Sequence, residues 1–286
     1  MKCIIFGSKG YLGSNFCKYL NNDNSEIFIP DYKLGEKLDL TQYKNLKGIN
    51  WDVDAVFVLA GKTGTQFSFD DYYNFLINNE LILLNILNAI KDSKYRPRIV
   101  FPSTRLVYKG SDSLLKENSL KESRTVYAVN KLACENYLKA YSIRYEIPYT
   151  IMRICVPYGN MVSSDYSFGT IGNFISRASK DKITLYGNGD IKRTFTHIND
   201  LCKILKIASI SQKTINHIFN MPGEEFKLKE VAYLIADKFS SNVEFINWPK
   251  NDYLIESGST VFETSYLKSL IHIDIEHKFL DWVKGI

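Results

Sequence analysis

Three things are missing from this sequence, and each removes a class of protein. No stretch of eighteen consecutive apolar residues occurs, which argues against a membrane-spanning helix, and Met1 and Lys2 lead into a strand-like run with no signal-peptide core. The expectation is a soluble, cytoplasmic protein with no membrane partner. No CxxC pair occurs: Cys3, Cys17, Cys134, Cys155 and Cys202 are scattered through apolar stretches, as reduced core thiols are, so neither a metal site nor a disulfide framework is expected. The third absence is a run of five basic residues. A net charge of +5 with 23% charged residues is mild; it gives no nucleic-acid groove and leaves small anionic ligands open.

What is present is alternation. Short apolar runs ("CIIF", "EIFIP", "AVFVLAG", "RIVFPS", "YTIMRI") take turns with helical patterns ("YLGSNFCKYL", "YYNFLINNELILLNILNAI", "VYAVNKLACENYLKAYSIRY"). Strands too apolar to have a wet face, separated by helices, predict a parallel sheet covered on both sides: a doubly wound α/β domain. After "VPYG" at 156–159 the rhythm weakens, with helical patterns near 170–180 and 227–239. This predicts a dinucleotide-binding domain over 1–158, to which 193–220 returns, and a smaller substrate-binding region from 159–192 and 221–286, set over the carboxyl edge of the sheet. The stripe Leu81, Leu84, Leu87 and Ile90 reads as helix core, as do Val126, Ala133 and Tyr137.

Behind the first strand stand Gly7, Gly10 and Gly13, then an apolar-periodic helix through Leu12, Phe16 and Leu20. Gly7 allows a tight turn, Gly10 the approach of a pyrophosphate to the helix N-terminus, and Gly13 close packing of helix on strand. The spacing is GxxGxxG. The second strand leads to Asp31, placed to accept the ribose hydroxyls of NAD; Lys33, just beyond, is able to receive the 2′-phosphate of NADP instead.

The segment "YAVNK" carries Tyr127 and Lys131 four apart, hence on one helix face, where an ammonium beside a phenol is expected to lower the phenol's pKa. The same spacing recurs at Tyr43 and Lys47, but only Tyr127 opens a long helix after the strand "RIVFPST". Thr104 ends that strand and can donate a hydroxyl to the same substrate oxygen.

With "GSKGYLG", Asp31, "LDL" at 38–40, "VLAG" at 58–61, "PSTRLVY" at 102–108, "YAVNK", "RICVPYG" at 153–159 and "YGNGDIKRTFTHINDL" at 186–201, the chain resembles, nearly end to end, the extended short-chain dehydrogenase/reductases of the NAD-dependent epimerase/dehydratase family that act on nucleotide sugars. The resemblance implies a Rossmann-type sheet and a homodimer built through helices that include the Tyr127 helix. It implies a catalytic triad of Thr104, Tyr127 and Lys131, Tyr127 exchanging a proton with a sugar hydroxyl while nicotinamide exchanges hydride with the same carbon. Gly7 to Gly13, with Tyr11 and Leu12, together with Asp39, Leu40, Leu59, Ala60 and Gly61, fall where the family holds its cofactor. Arg193 falls where the family grips the diphosphate, assisted by Lys192; Tyr186 falls where an aromatic stacks on the base, and Asn173 where an amide contacts phosphate. His197, in "HIND", is expected to be structural rather than catalytic.

Departures narrow the reaction. The family's dehydratases carry an acidic pair directly after the catalytic Thr; here Arg105 and Leu106 stand there, and neither shuttles a proton at neutral pH. GDP-fucose synthases pair a Cys and a His to epimerise carbons 3 and 5, and this chain offers Arg105 at the first place and Thr170 or a neighbouring glycine at the second. Val156 replaces a phosphate-contacting Asn. Hydride transfer at carbon 4 remains: reduction of an NDP-4-keto-(6-deoxy)hexose, favoured by the short chain and the "AGKTGT" loop, or NAD-dependent 4-epimerisation. Lys62, Thr63 and Thr65 of that loop are candidate sugar contacts. A redox-sensing regulator that keeps the dinucleotide site is the third reading.

Overall fold

A computed structural model describes residues 1–286 apart from Asn24, Asp31, Leu34, Gly35, 163–165 and the side chains at 32, 33, 36 and 37. Asp31 and the Lys33 side chain, the two residues expected to choose between NAD and NADP, therefore lie outside the described residues. The N-terminal part runs β1 (Lys2–Phe6), α1 (Tyr11–Asn21), β2 (Glu26–Phe28), a short antiparallel pair β3 (Tyr32–Lys33) and β4 (Glu36–Lys37), and β5 (Ala55–Val58). It continues through α2 (Phe67–Asp70), α3 (Tyr72–Leu76), a π turn at Ile77–Leu81, α4 (Ile82–Lys91), β6 (Arg98–Thr104), α5 (Val126–Tyr145) and β7 (Tyr149–Ile154). Beyond lie β8 (Val156–Tyr158), α6 (Gly169–Ala178), β9 (Lys182–Tyr186), β10 (Lys192–His197), α7 (Ile198–Ile210), β11 (His217–Asn220) and β12 (Glu224–Lys227). The chain closes with α8 (Leu228–Lys238), β13 (Asn242–Ile246), α9 (Lys250–Ile255), α10 (Ser265–Leu270) and α11 (Phe279–Gly285).

Six strands form one sheet in the order β11-β7-β6-β5-β1-β2, every neighbouring pair parallel. Side chains alternate across it. Ile4, Phe6, Val56, Val58, Ile99 and Phe101 enter one core with residues of α4 and α5, while Cys3, Ile5, Ala55, Phe57 and Val100 enter the other with residues of α1 and α7. With both faces covered, the strands have no wet side, which is why they read as unbroken apolar runs. The chain is a Rossmann-type α/β fold, as the alternation predicts.

The glycine turn shows why only glycine fits at two of its places. Gly7 has φ +88°, and a Cβ there would lie 2.3 Å from the Ala60 amide nitrogen. A Cβ on Gly13 would lie 2.0 Å from the Gly7 carbonyl oxygen, backbone that cannot step aside. Gly13→Ala is therefore expected to destabilise the protein by at least about 3 kcal/mol, above the usual range for overpacking because backbone must move. Chemical denaturation measures this, and a loss below about 1 kcal/mol would mean that α1 can slide off the strand.

The C-terminal region has its own core of Tyr158, Phe174, Ile183, Phe195, Val231, Ile235 and Phe279. It encloses a small sheet in the order β12-β10-β8 and the pair β13-β9. Two boundaries differ from the sequence reading. Residues 192–197 join the small sheet rather than the large one, so the chain returns to the large-sheet core at α7, and β8 has already left that sheet at Val156. The Leu81 stripe is also corrected: Leu87 and Ile90 are fully buried but Leu81 is 37% exposed, because a three-residue spacing drifts around a 3.6-residue helix and brings Leu81 and Ile90 to opposite faces. No helix among the described residues is long and apolar enough to cross a membrane.

Candidate functional site

A cleft of about 550 Å³ opens at the carboxyl end of the large sheet. Gly7, Gly10, Asp39, Leu40, Leu59, Ala60, Gly61 and Lys62 line it, together with Lys9, Asn78 and Ile82, which the sequence reading did not single out. Helix α1 begins at Gly10 with no side-chain cap, so its N-terminal end and dipole face an anion-sized space, and a Cβ on Gly10 would meet only the Gly7 carbonyl at 3.4 Å. The shape and the donors fit a dinucleotide pyrophosphate. Asp39 lines the cleft, but its carboxylate accepts from the Thr41 amide at 2.9 Å and hydroxyl at 2.6 Å, holding the turn. Tyr11 and Leu12 stand apart from the other motif residues. The Tyr11 hydroxyl donates to the Gly159 carbonyl at 2.7 Å and its ring stacks on Phe168, while Leu12 packs on the hydrophobic core, so neither side chain faces the cleft.

The three residues expected to do chemistry meet beside it. Thr104 ends β6 and caps the following turn, its hydroxyl accepting from the Leu106 amide at 3.3 Å. Thr125 caps α5 through the Ala128 amide, which fixes Tyr127 in the first turn, and Lys131 follows one turn later. Lys131 Nζ donates to the Pro102 carbonyl at 2.9 Å and lies 6.0 Å from the Tyr127 ring centroid. Phe75 meets the Tyr127 ring edge-on, and Lys62 Nζ lies 5.8 Å from the Phe75 ring, linking the constellation to the cleft. Lys62 also pairs with Asp71.

The electrostatics correct one expectation. Burial pushes the Tyr127 phenol up to about 12, only partly offset by the nearby Thr104 hydroxyl, and pulls the Lys131 ammonium down to about 8. Desolvation outweighs the field of a lysine whose ammonium is turned toward a carbonyl, so the phenol is a weaker acid than usual rather than a stronger one.

Two carboxylates that the sequence reading missed hold α5 in place. Glu80, on the π turn, accepts from Asn130 at 2.5 Å and from the Tyr137 hydroxyl at 2.8 Å. Glu135 is fully buried and takes both arms of Arg153. The signal for Glu135 was present in its placement: an acidic residue on the apolar face of an otherwise core helix.

The substrate-side residues divide. A second cavity of about 740 Å³ is lined by Glu122, Arg124, Ile191, Trp248, Tyr253, Leu254 and 256–258. Tyr186 packs at 5.1 Å against Trp248 on its wall. Arg193 is only 2% exposed, and its guanidinium is engaged by the Glu256 carboxylate and by the carbonyls of Lys192 and Gly258. Lys192 pairs with Glu225 at 2.6 Å. Asn173 sits on the exposed face of α6, and neither it nor Thr63 lines either cavity. His197 has the structural role expected: it caps α7, stacks on His277 at 4.4 Å, and is held down to about 4 by burial and by that neighbour. The second Tyr-Lys pair is not a site, since the Tyr43 hydroxyl is exposed and donates to Asp92. Cys3, Cys17, Cys134, Cys155 and Cys202 are all free thiols.

Comparison with known proteins agrees with this arrangement. The chain is 25% identical over 299 residues to an uncharacterised UDP-glucose epimerase, YtcB, of Bacillus subtilis, covering 96% of this chain and 93% of that protein. Its fold is shared with the UDP-glucuronic acid 4-epimerase of Bacillus cereus, solved with UDP-glucuronic acid and NAD, at a TM-score of 0.81, 22% identity and coverage of 99% and 97%. RMD from Pseudomonas aeruginosa, solved with NADPH, gives a TM-score of 0.82 at 22% identity and coverage of 100% and 98%. A family model spans residues 3–221, the stretch that holds the glycine turn, the cleft and all three residues at its mouth: the chain belongs to the NAD dependent epimerase/dehydratase family.

Proposed function

We propose that the protein transfers a hydride at carbon 4 of a nucleotide-linked sugar, acting as a reductase of an NDP-4-keto-(6-deoxy)hexose. The observation that carries this reading is the convergence of Thr104, Tyr127 and Lys131 beside the Gly7 to Gly61 cleft. Gly7, Gly10, Leu40, Ala60 and Gly61 would hold a nicotinamide dinucleotide there, NAD or NADP, and once bound it supplies the hydride. Tyr127 keeps the proton that the reduced carbonyl oxygen must receive. A phenol pushed up to about 12 is fully protonated at neutral pH, which suits donation better than the proton abstraction with which an epimerase opens. Thr104 donates to the same oxygen and orients it, and the Lys131 ammonium favours the phenolate left behind.

A second reading, the NAD-dependent 4-epimerase, is supported by the name of the Bacillus subtilis relative and uses the same three residues. The reactions separate in one assay. Each reduced nicotinamide cofactor is mixed with a panel of nucleotide-linked 4-keto-6-deoxyhexoses while its near-ultraviolet absorbance is followed. Stoichiometric loss supports the reductase; no loss, with NAD released from the purified protein on denaturation and interconversion of 4-hydroxy epimers, supports the epimerase.

The pH profile gives a further expected result. Lys131 carries its charge only below about 8, so reduction is expected to fall as pH rises through that value. A rate that stays flat to about pH 10 would mean that Lys131 keeps the ordinary lysine range in the working enzyme and is not pulled down by burial. We also propose a homodimer, supported by the exposed Phe67, Phe69, Tyr72, Tyr73 and Leu76 beside Val129 of the Tyr127 helix.

A further inference from the structure

We propose that Arg105, not Arg193, is the guanidinium that receives an oxyanion of the substrate; this rests on the reading of the site as one for nucleotide sugars. Arg105 follows Thr104 directly, in the turn Arg105–Val107. Its Nη1 donates to the neutral Ser257 hydroxyl at 3.2 Å, and among the described residues no carboxylate lies within 4 Å of it. The two other arginines at this wall are already matched. Arg193 Nη2 lies 2.6 Å from Glu256 Oε1, which also accepts from the Gly258 amide at 3.0 Å, and Arg193 Nη1 serves two carbonyls. Arg124 lies 2.9 Å from Glu122 and donates to the Glu256 carbonyl at 2.6 Å.

Three guanidinium groups thus face two carboxylates, and Arg105, which acts on Glu256 only through space, is the one without a direct ion pair among the described residues. A substrate phosphate at Arg193 would have to compete with the Glu256 carboxylate for Nη2 and with two carbonyls for Nη1, whereas at Arg105 it would displace only a neutral hydroxyl. Arg105 offers a planar fork next to Thr104 in the chain and in contact with Ser257, which lines the second cavity. An oxyanion within its reach is either a phosphate oxygen of the diphosphate or a carboxylate carried by the sugar.

Calorimetric titration of the full-length protein separates these. The probes are inorganic pyrophosphate, the UDP, GDP, CDP and dTDP diphosphates, UDP-glucose and UDP-glucuronate, with wild type, R105Q, R105K and R105Q/E256Q. R105Q is expected to weaken the bound probe by about 10- to 100-fold, the range for a charge-assisted hydrogen bond, with R105K restoring only part. Removing the Glu256 charge is expected to release Arg193 and recover most of the loss in R105Q/E256Q. Equal losses for pyrophosphate, UDP-glucose and UDP-glucuronate assign the contact to phosphate, and a loss confined to UDP-glucuronate assigns it to a carboxylate. Unchanged affinities in R105Q overturn the proposal, as does a wild type that binds none of the probes. NADH titration of every variant reports folding and keeps the wider reading separate: a chain that oxidises NADH with a 4-keto sugar while R105Q binds like wild type loses this inference alone.

Discussion

Tyr127→Phe is expected to lose about a thousandfold or more in turnover while still binding a nicotinamide dinucleotide, because a positioned general acid contributes roughly 10²- to 10⁴-fold and the cleft is lined by other residues. The phenol is only 9% exposed, so water does not readily take over its proton. The ring meets Phe75 edge-on; losing the hydroxyl leaves the aromatic packing intact, so stability should change little. This outcome also separates enzyme from sensor. A regulator that merely reads the dinucleotide state would keep its function in Tyr127→Phe, and turnover within tenfold of wild type would take the proton from Tyr127 and give it to solvent or to another side chain. Thr104→Ala should cost less, since it removes one donor and leaves the acid in place.

The glycine turn and the Tyr-Lys helix were legible because their demands are local. Gly13 is forced by a carbonyl six residues away in the same turn, and Tyr127 by a helix whose cap, Thr125, is two residues earlier. What stayed hidden depends on partners far along the chain. That Arg193 is already paired follows from Glu256, brought 63 residues back by the loop after α9. The π turn at Ile77–Leu81, which sets Glu80 against α5, is not anticipated by a strict 3.6-residue period. The phenol's pKa was read from its lysine neighbour alone; burial, which a sequence does not give, decides its direction. The same limit applies to β10, whose sequence KRTFTH carries a single apolar residue and whose place is set by pairing with β8 and β12.

The largest loss of stability is expected where the scaffold holds that helix. Glu135 is 0% exposed and accepts from Arg153 Nε at 2.9 Å, Arg153 Nη2 at 2.6 Å and the Ser103 hydroxyl at 2.6 Å. Arg153 extends the network through Tyr108 to Asn220, tying α5 to β6, β7 and β11. Glu135→Leu strands a guanidinium that is 2% exposed, and Arg153→Met strands the carboxylate; each is expected to cost about 3–5 kcal/mol. At roughly 2–4 °C per kcal/mol for a chain of this size, the melting temperature should drop by about 10 °C. The double variant, with no charge left to bury, should recover much of that loss, because the penalty lies in the orphaned ion and not in the missing pair. A double variant no more stable than the worse single one would place the stability in the pair itself. Ser103 precedes Thr104 and Glu135 lies one turn beyond Lys131, so the folded fraction of either single variant should also turn over more slowly, the reacting hydroxyls having lost their common support.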